Sequence, residues 1–324
     1  MSTVLGEVYG AAIQTYVPTV AKFEQDVGVR QKDPAYLKQY CKSGWRDGAH
    51  LCQDVLGAID ESPRIRARGQ RLDIFPPLKV GRTIHALGEE GDLSWPEFDG
   101  YLVMLFVARS GSSFLSTELE KHYDIGKMTE RLNAAEKIIS GATQKKIART
   151  KLAGRWFSFK AGMRGVVNAE ASGLMDSALG RMHFLRLVRR DIIGQAISTV
   201  KAKQTQRWHM SAAAVAEPQY NLAELEKAVA MIASGVEIMR VYAARTGRPC
   251  RQIIYEDVAN GSLEPALMAC DEMGVPRRTG EILKPRSVER MARDSKEDWN
   301  ERFRSEMGTE TRNWLQRYEK MLAT

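Results

Sequence analysis

One stretch of the sequence restricts the fold more than any other. Residues 101–107, Tyr-Leu-Val-Met-Leu-Phe-Val, are apolar throughout and lead directly into Ala-Arg-Ser-Gly-Ser-Ser at residues 108–113. A continuous apolar run of this length indicates a strand that is covered on both faces, as in the middle of a parallel sheet. The small residues after it are typical of a tight turn, and we expect a helix to begin at Phe114.

The turn at residues 109–113 is a candidate anion site. At the start of a helix several backbone N–H groups point into one concavity, and the helix dipole favours a negative charge there. The turn lacks the lysine and the glycine spacing of the G-x-x-x-x-G-K-[ST] motif, which disfavours hydrolysis of ATP or GTP. Arg109 instead offers a planar guanidinium that suits a phosphate or sulfate group. The alternative is an ordinary strand-to-helix turn.

Further apolar runs alternate with helical patterns along the chain. They lie at residues 156–159, 184–188 and 252–255, and the first two stop at Lys160 and Arg189. Asp191 and Asn221 are each followed by apolar residues at helical spacing, as expected for N-caps. Strands that alternate with helices are typical of βαβ units. The sequence therefore predicts an α/β three-layer sandwich with a central, mainly parallel sheet.

The chain divides into two parts by composition. Residues 1–95 carry no strong strand signal and end in a stretch rich in Pro, Gly and charge, so we expect an N-terminal, mostly helical extension. Residues 96–324 form the predicted α/β domain. Its charged tail, from Lys284 onward, has Trp299, Phe303 and Trp314 interspersed, which indicates C-terminal helices on the outside of the domain.

The composition disfavours several classes of protein. With 44% hydrophobic and 27% charged residues among 324, the chain is expected to be globular. No apolar run approaches the roughly 20 residues of a membrane-spanning helix, and the N-terminus has no secretory pattern, so we expect a cytoplasmic protein. The four cysteines are dispersed and histidines number five, which disfavours a metal site. The net charge of +8 suits an anionic ligand, nucleic acid or an acidic membrane surface and does not choose among them.

A second candidate anion site follows the run at 184–188. Arg189 and Arg190 stand at the end of this strand, and Ser198 lies on the helix that follows. Residues at a helix start share the space above the carboxyl edge of a parallel sheet, so these side chains can converge on a phosphate. Two such sites on adjacent strand ends predict a ligand with two separated phosphates. A solvated rim of arginines is the alternative.

These motifs resemble a known family. The segment Arg109-Ser110-Gly111-Ser112-Ser113 resembles the R-S-G-S-[ST] loop of sulfotransferases. The V-R-R-D-x-x-x-Q-A-x-S…Q-T-x-x-W-H segment of the bacterial trehalose-sulfotransferase-like family is similar to residues 188–209, and its Y-E-D-L and closing R-x-S-x-E-W-x-x-R-F motifs are similar to residues 255–258 and 293–303. The resemblance covers residues 101–304.

The resemblance implies a P-loop-type sulfotransferase fold and in-line transfer of a sulfuryl group from 3′-phosphoadenosine-5′-phosphosulfate (PAPS) to a carbohydrate hydroxyl, with PAP as product and no metal. It assigns the 5′-phosphosulfate to Arg109, Ser110, Gly111, Ser112 and Ser113. For the 3′-phosphate it implies Ser198 with an arginine. Arg190 has the usual spacing to Ser198, whereas Arg189 has the more typical place directly after the strand, so both are candidates.

The resemblance also implies the residues that act on the acceptor. Glu130 is the candidate general base, because the family has a glutamate in a G-x-P-x-E-[FY]-[FY] motif here, although the proline and both aromatic residues are absent from residues 126–132. Lys160 matches the family's strand-end lysine and is a candidate to neutralise the bridging oxygen of the leaving group. Arg109 is a second candidate for that role.

Other functions stay open at this stage. A non-catalytic PAPS- or PAP-binding regulatory or scaffolding protein would keep the anion sites and lose transfer, and the altered residues around Glu130 allow it. The hypothesis of a nucleic-acid-binding protein is supported by the net charge alone, and we expect no nucleic acid partner. The acceptor is expected to be a carbohydrate or glycolipid, and a homodimer is suggested by the resemblance only.

Overall fold

The carboxyl ends of four parallel strands build the edge on which the candidate residues lie. The computed structural model describes residues 71, 95–133, 142–151, 156–208, 215–259, 262–279 and 294–322. These residues form one sheet with the order β2-β1-β3-β4, in which every neighbouring pair is parallel. Its strands are β1 (Gly100–Phe106), β2 (Trp156–Ala161), β3 (Met182–Val188) and β4 (Cys250–Ile254). The predicted parallel sheet is confirmed.

Helices connect and cover the strands. In chain order the described helices are α1 (Ser112–His122), α2 (Ala142–Lys151), α3 (Met163–Ala171), α4 (Leu174–Ala178), α5 (Ile192–Thr205), α6 (Leu222–Arg245), α7 (Tyr255–Ala259), α8 (Glu264–Glu272), α9 (Asp294–Glu306) and α10 (Thr309–Leu322). Two short 3-10 helices lie at Arg131–Asn133 and Leu179–Arg181. None of the described helices is both long enough and apolar enough to cross a membrane.

The sheet is covered on both faces, which explains the uninterrupted apolar run in β1. Alternate residues of this strand point to opposite faces. Tyr101, Val103 and Leu105 join a core with α3, α4 and α6, while Leu102 and Met104 join a core with α1 and α8. All seven residues of β1 are buried. The three-layer α/β architecture predicted from the sequence is confirmed.

Several predicted boundaries were wrong by a few residues. Helix α1 begins at Ser112, not Phe114, because Gly111 already has a left-handed backbone with φ of 92° and serves as the N-cap. Strand β2 continues through Lys160 to Ala161, since its pairing with β1 extends to Leu105. Strand β4 ends at Ile254, so Tyr255 opens α7.

The two N-caps identified from the sequence are confirmed. The Asp191 carboxylate accepts the Gly194 N–H at 2.8 Å at the start of α5. The Asn221 side-chain oxygen accepts the Glu224 N–H at 3.0 Å at the start of α6. Each cap satisfies a backbone donor that has no partner inside the helix.

The C-terminal helices contact the outside of the domain, as expected. They pack against α5 and α6, and they bury Phe303 and Tyr318 completely. The Tyr318 hydroxyl donates to the Arg189 carbonyl oxygen at 2.7 Å, so α10 supports the end of β3. Burial raises the pKa of Tyr318 to about 12.

A buried charged cluster joins Arg71 to the α/β domain. Its guanidinium donates to both oxygens of Glu170 at 2.7 Å and to Asp176 at 2.8 Å, and the Tyr242 hydroxyl also donates to Glu170 at 2.8 Å. Burial raises the pKa of Glu170 although Arg71 opposes the shift. Apart from Arg71 and Trp95, the predicted extension at residues 1–95 lies outside the described residues.

Candidate active site

The candidate site lies where the strand order reverses. The chain passes from β1 to β2 on one side and then returns to β3 on the other side of β1. At such a point the loops after the two neighbouring strands diverge to opposite faces and leave a crevice outside the carboxyl edge of the sheet. The loop of residues 107–111 follows β1 at this edge of the sheet.

The first anion turn, residues 109–113, has the backbone of an anion-binding loop. Arg109 and Gly111 both have positive φ, at 66° and 92°, with Ser110 between them. The N-terminus of α1 has no side-chain cap and no acidic residue in its first turn. The Ser110 hydroxyl is buried and has no hydrogen-bond partner among the described residues. Free donors, a helix dipole and an unsatisfied hydroxyl together favour an anion at this position.

A lysine reaches this turn from the neighbouring strand. Lys160 is buried on β2, and its ammonium group lies 3.2 Å from the Ser113 hydroxyl. The same ammonium group lies 3.5 Å from the Glu130 carboxylate. Thus β2 adds a second cation beside Arg109, and it places that cation between the anion turn and a carboxylate.

Backbone pairing holds Glu130 in this position. The Lys160 N–H donates to the Thr129 carbonyl oxygen at 3.0 Å, and Thr129 forms a parallel bridge with Phe159. The Asn133 side-chain amide donates to the Glu130 carboxylate at 2.6 Å. The segment before Glu130 is fixed by Glu120, whose carboxylate accepts the Met128 N–H at 2.8 Å. The Glu130 side chain stays 40% exposed and therefore accessible to an acceptor.

The second anion segment, which comprises Arg189, Arg190 and Ser198, contacts the first anion turn through Arg109. Its Nε donates to the Ser198 hydroxyl at 2.9 Å, although the two residues are 89 positions apart in the sequence. Arg189 lies beside them, with a weak contact of 3.5 Å to the Arg109 carbonyl oxygen. Burial and the nearby Arg189 charge both lower the pKa of Arg109. A bound anion would relieve the second of these effects.

Arg190 takes a different position. Its guanidinium makes a bidentate pair with Asp257 at 2.6 and 2.9 Å on an exposed surface. Arg189, by contrast, is largely buried, pairs with Asp191 at 3.0 Å and approaches the Arg109 carbonyl oxygen. The structure therefore brings Arg109, Arg189 and Ser198 together and leaves Arg190 at the rim.

Two residues of the site lie in motifs of the sequence but received no role there. Gln195 is buried, and its amide donates to the Ala108 carbonyl oxygen at 2.8 Å, which ties α5 to the first anion turn. Glu256 accepts the Arg190 N–H at 2.9 Å and the Asp191 N–H at 3.2 Å. The sequence shows both residues within motifs, but no local pattern indicates which distant backbone groups they bind.

The histidines do not contribute to this site among the described residues. His183 stacks on Trp156 with ring centroids 5.3 Å apart, and burial lowers its pKa. His209 lies outside the described residues. No group of three or more His, Cys, Asp or Glu side chains in the described ranges is placed to hold a metal ion.

Comparison with known proteins agrees with this chemistry. Residues 161–306 match the model of the Stf0 sulphotransferase family. The match supports a sulfotransferase. It covers β3, α5 and β4, which carry the second anion segment, and it begins one residue after Lys160. The first anion turn and Glu130 therefore lie outside the matched stretch, so their geometry is an observation separate from the family match.

Two solved structures are similar at low identity. A sulfotransferase domain from the curacin biosynthetic pathway is 15% identical, with a TM-score of 0.45, and the alignment covers 70% of this chain and 99% of that one. A sulfotransferase domain from the Synechococcus PCC 7002 olefin synthase is 14% identical, with a TM-score of 0.34, and the alignment covers 67% and 100%. No curated protein matches the sequence.

Proposed function

We propose that this protein is a sulfotransferase that uses PAPS as donor and transfers its sulfuryl group to a hydroxyl of a carbohydrate or glycolipid. One observation carries the proposal: Lys160 lies within 3.5 Å of both the first anion turn and Glu130. An anion site, a buried cation and an accessible carboxylate in contact are the groups that transfer between a phosphosulfate and a hydroxyl requires.

The donor is proposed to lie across both anion segments. The 5′-phosphosulfate is assigned to residues 109–113, where the backbone donors and the Ser110 hydroxyl can bind it. The 3′-phosphate is assigned to Ser198 with Arg189 or Arg190. The close approach of Arg109 and Arg189 supports this assignment, because two like charges in a partly buried site are stabilised by an anion.

Two side chains are assigned separate roles in the transfer. Glu130 accepts the proton of the acceptor hydroxyl as that oxygen bonds to sulfur, while the bond from sulfur to the bridging oxygen breaks and PAP leaves with the electron pair. Lys160 neutralises the charge that develops on the bridging oxygen, an interaction stronger in the transition state than before it. Arg109 is the second candidate for this role, but it is already engaged with Ser198.

Two measurements test the proposal. Saturating PAP should raise the melting temperature of the protein, and ATP with Mg²⁺ should raise it much less, because ATP lacks the 3′-phosphate. The protein should also transfer labelled sulfate from PAPS to glycans or glycolipids of a cell extract. Equal shifts with the two nucleotides would reject the donor, and PAP binding without transfer to any acceptor would favour a regulatory PAP-binding protein.

A further inference from the structure

The residues at the end of β4 contact both anion segments, yet the proposed transfer gives them no role. Tyr255 and Glu256, which we call the Tyr255–Glu256 pair, follow β4 directly as the first residues of α7. β4 pairs with β3, so this pair lies at the same carboxyl edge as the site.

The Tyr255 ring lies between the two segments. It occupies the space beside Gly111 where any larger residue would need a Cβ atom. Its ring meets Phe114 of α1 edge to face, with centroids 6.3 Å apart, and the guanidinium of Arg189 lies 5.5 Å from its centroid. Such a cation over an aromatic ring is attracted to it. Tyr255 therefore contacts the first turn and the second segment at once.

Glu256 occupies the start of α5. Its two carboxylate oxygens accept the backbone N–H groups of Arg190 and Asp191, at 2.9 and 3.2 Å. One of them also lies 3.6 Å from Arg189 Nε. Both N–H groups lie in the turn before Ile192, the first residue of α5, where the backbone could otherwise bind an anion. Glu256 therefore occupies two backbone donors of the second anion segment.

Charge repulsion and a positioning role predict opposite effects on anion binding when the Glu256 carboxylate is removed. A negative charge beside an anion site repels the anion, so its removal should tighten binding if charge alone matters. If instead Glu256 fixes the turn and the direction of Arg189, its removal should weaken binding, because the cation must then be ordered by the ligand. The three contacts of Glu256 with backbone and guanidinium favour the second outcome.

We propose that Glu256 is a positioning residue for the donor's 3′-phosphate: it holds Arg189 and the turn before α5, and the Tyr255 ring couples that turn to Gly111. The inference rests on the proposed function for its ligand, while the preorganisation of the turn is a property of the free protein.

The test compares Glu256→Ala and Glu256→Gln with Asp257→Asn. The Asp257 variant removes the same charge from the next residue, whose carboxylate pairs with the exposed Arg190 and accepts no backbone N–H in the described structure. Binding of PAP and of AMP, which lacks the 3′-phosphate, is measured by calorimetry. We expect Glu256→Ala to weaken PAP about tenfold or more, as for a lost charged hydrogen bond, and to weaken AMP less. Asp257→Asn should not weaken PAP.

The Gln variant and a second readout keep the inference falsifiable. Glu256→Gln keeps an oxygen for one N–H group and should lose less affinity than Glu256→Ala, and it replaces that variant if the alanine protein does not fold. PAP binding to the Glu256 variants as tight as to the wild type, or tighter, would overturn the inference.

Amide hydrogen exchange of the ligand-free protein separates this inference from the proposed function. Faster exchange at Arg190, Asp191 and residues 110–113 in the Glu256 variants supports the ordering of this turn by Glu256 in the free protein. It does so even if the wild-type protein does not bind PAP, a result that would reject the proposed donor and with it the 3′-phosphate as the ligand. Unchanged exchange at these amides in a protein without PAP binding overturns the positioning role as well.

Discussion

Replacement of Gly111 by alanine tests how closely the first anion turn is packed. Gly111 has φ of 92°, and a Cβ atom there would overlap Cδ2 and Cε2 of the Tyr255 ring and lie 3.1 Å from its Cγ. The substitution therefore imposes two costs, one on the backbone and one on the packing. The Tyr255 ring cannot move freely, because Phe114 and Arg189 contact it.

The two costs have known sizes. A left-handed backbone costs an L-residue roughly 1–2 kcal/mol. Insertion of an extra carbon into a packed position costs typically about 1–3 kcal/mol. We therefore expect Gly111→Ala to lower the free energy of unfolding by about 3 kcal/mol, which corresponds to a fall in Tm of about 6–12 °C for a domain of this size.

A matched glycine isolates the packing cost. Gly274 also has positive φ, at 71°, but a Cβ atom there would meet nothing within 4 Å. Gly274→Ala should show the backbone cost alone, about 1–2 kcal/mol in urea unfolding. The difference between the two variants should disappear when both are made in a Tyr255→Ala background, because the ring is then absent. Equal losses for the two glycines in the wild-type background would refute the reasoning.

Three further predictions concern the base, the buried cluster and the last helix. Glu130→Gln should reduce turnover about a hundredfold or more, as for a lost general base, and leave PAP affinity nearly unchanged; full turnover would mean that another residue is the base. Arg71→Met should lower the free energy of unfolding by about 3–5 kcal/mol, since it leaves Glu170 buried without its cation, and a loss below about 1 kcal/mol in urea unfolding would contradict the buried pair. Tyr318→Phe should cost about 1 kcal/mol at neutral pH through the lost hydrogen bond to the Arg189 carbonyl. Because the folded-state pKa of Tyr318 is raised to about 12, its stabilisation is complete below pH ~10 and should decline as pH rises toward 12, so the difference between wild type and Tyr318→Phe in urea unfolding should shrink over this window.

Local patterns in the sequence were sufficient to predict the strands and helix starts on which the candidate site is built. The apolar run of β1 predicted a strand buried on both faces, because side chains on both sides of such a strand must leave water. Asp191 and Asn221 predicted helix starts because a cap satisfies donors within a few residues of itself. The predicted boundaries at Ser112 and Lys160 were wrong because local patterns do not determine them. The extent of strand pairing and the left-handed backbone of Gly111 depend on neighbours beyond the local pattern.

The partners of each side chain required the tertiary structure. Only the register between Thr129 and Phe159 places Glu130 beside Lys160, and only the strand order brings Arg109 to Ser198. Sequence spacing left both Arg189 and Arg190 as candidates, whereas in the structure Arg189 contacts the Arg109 carbonyl oxygen and Arg190 pairs with Asp257. Local propensity acts through near neighbours in the chain, but a hydrogen bond or ion pair forms between groups that the packed sheet brings within a few ångströms. The sequence by itself thus determined the main strands and helices and the candidate anion turns, and the fold decided which side chains meet between them.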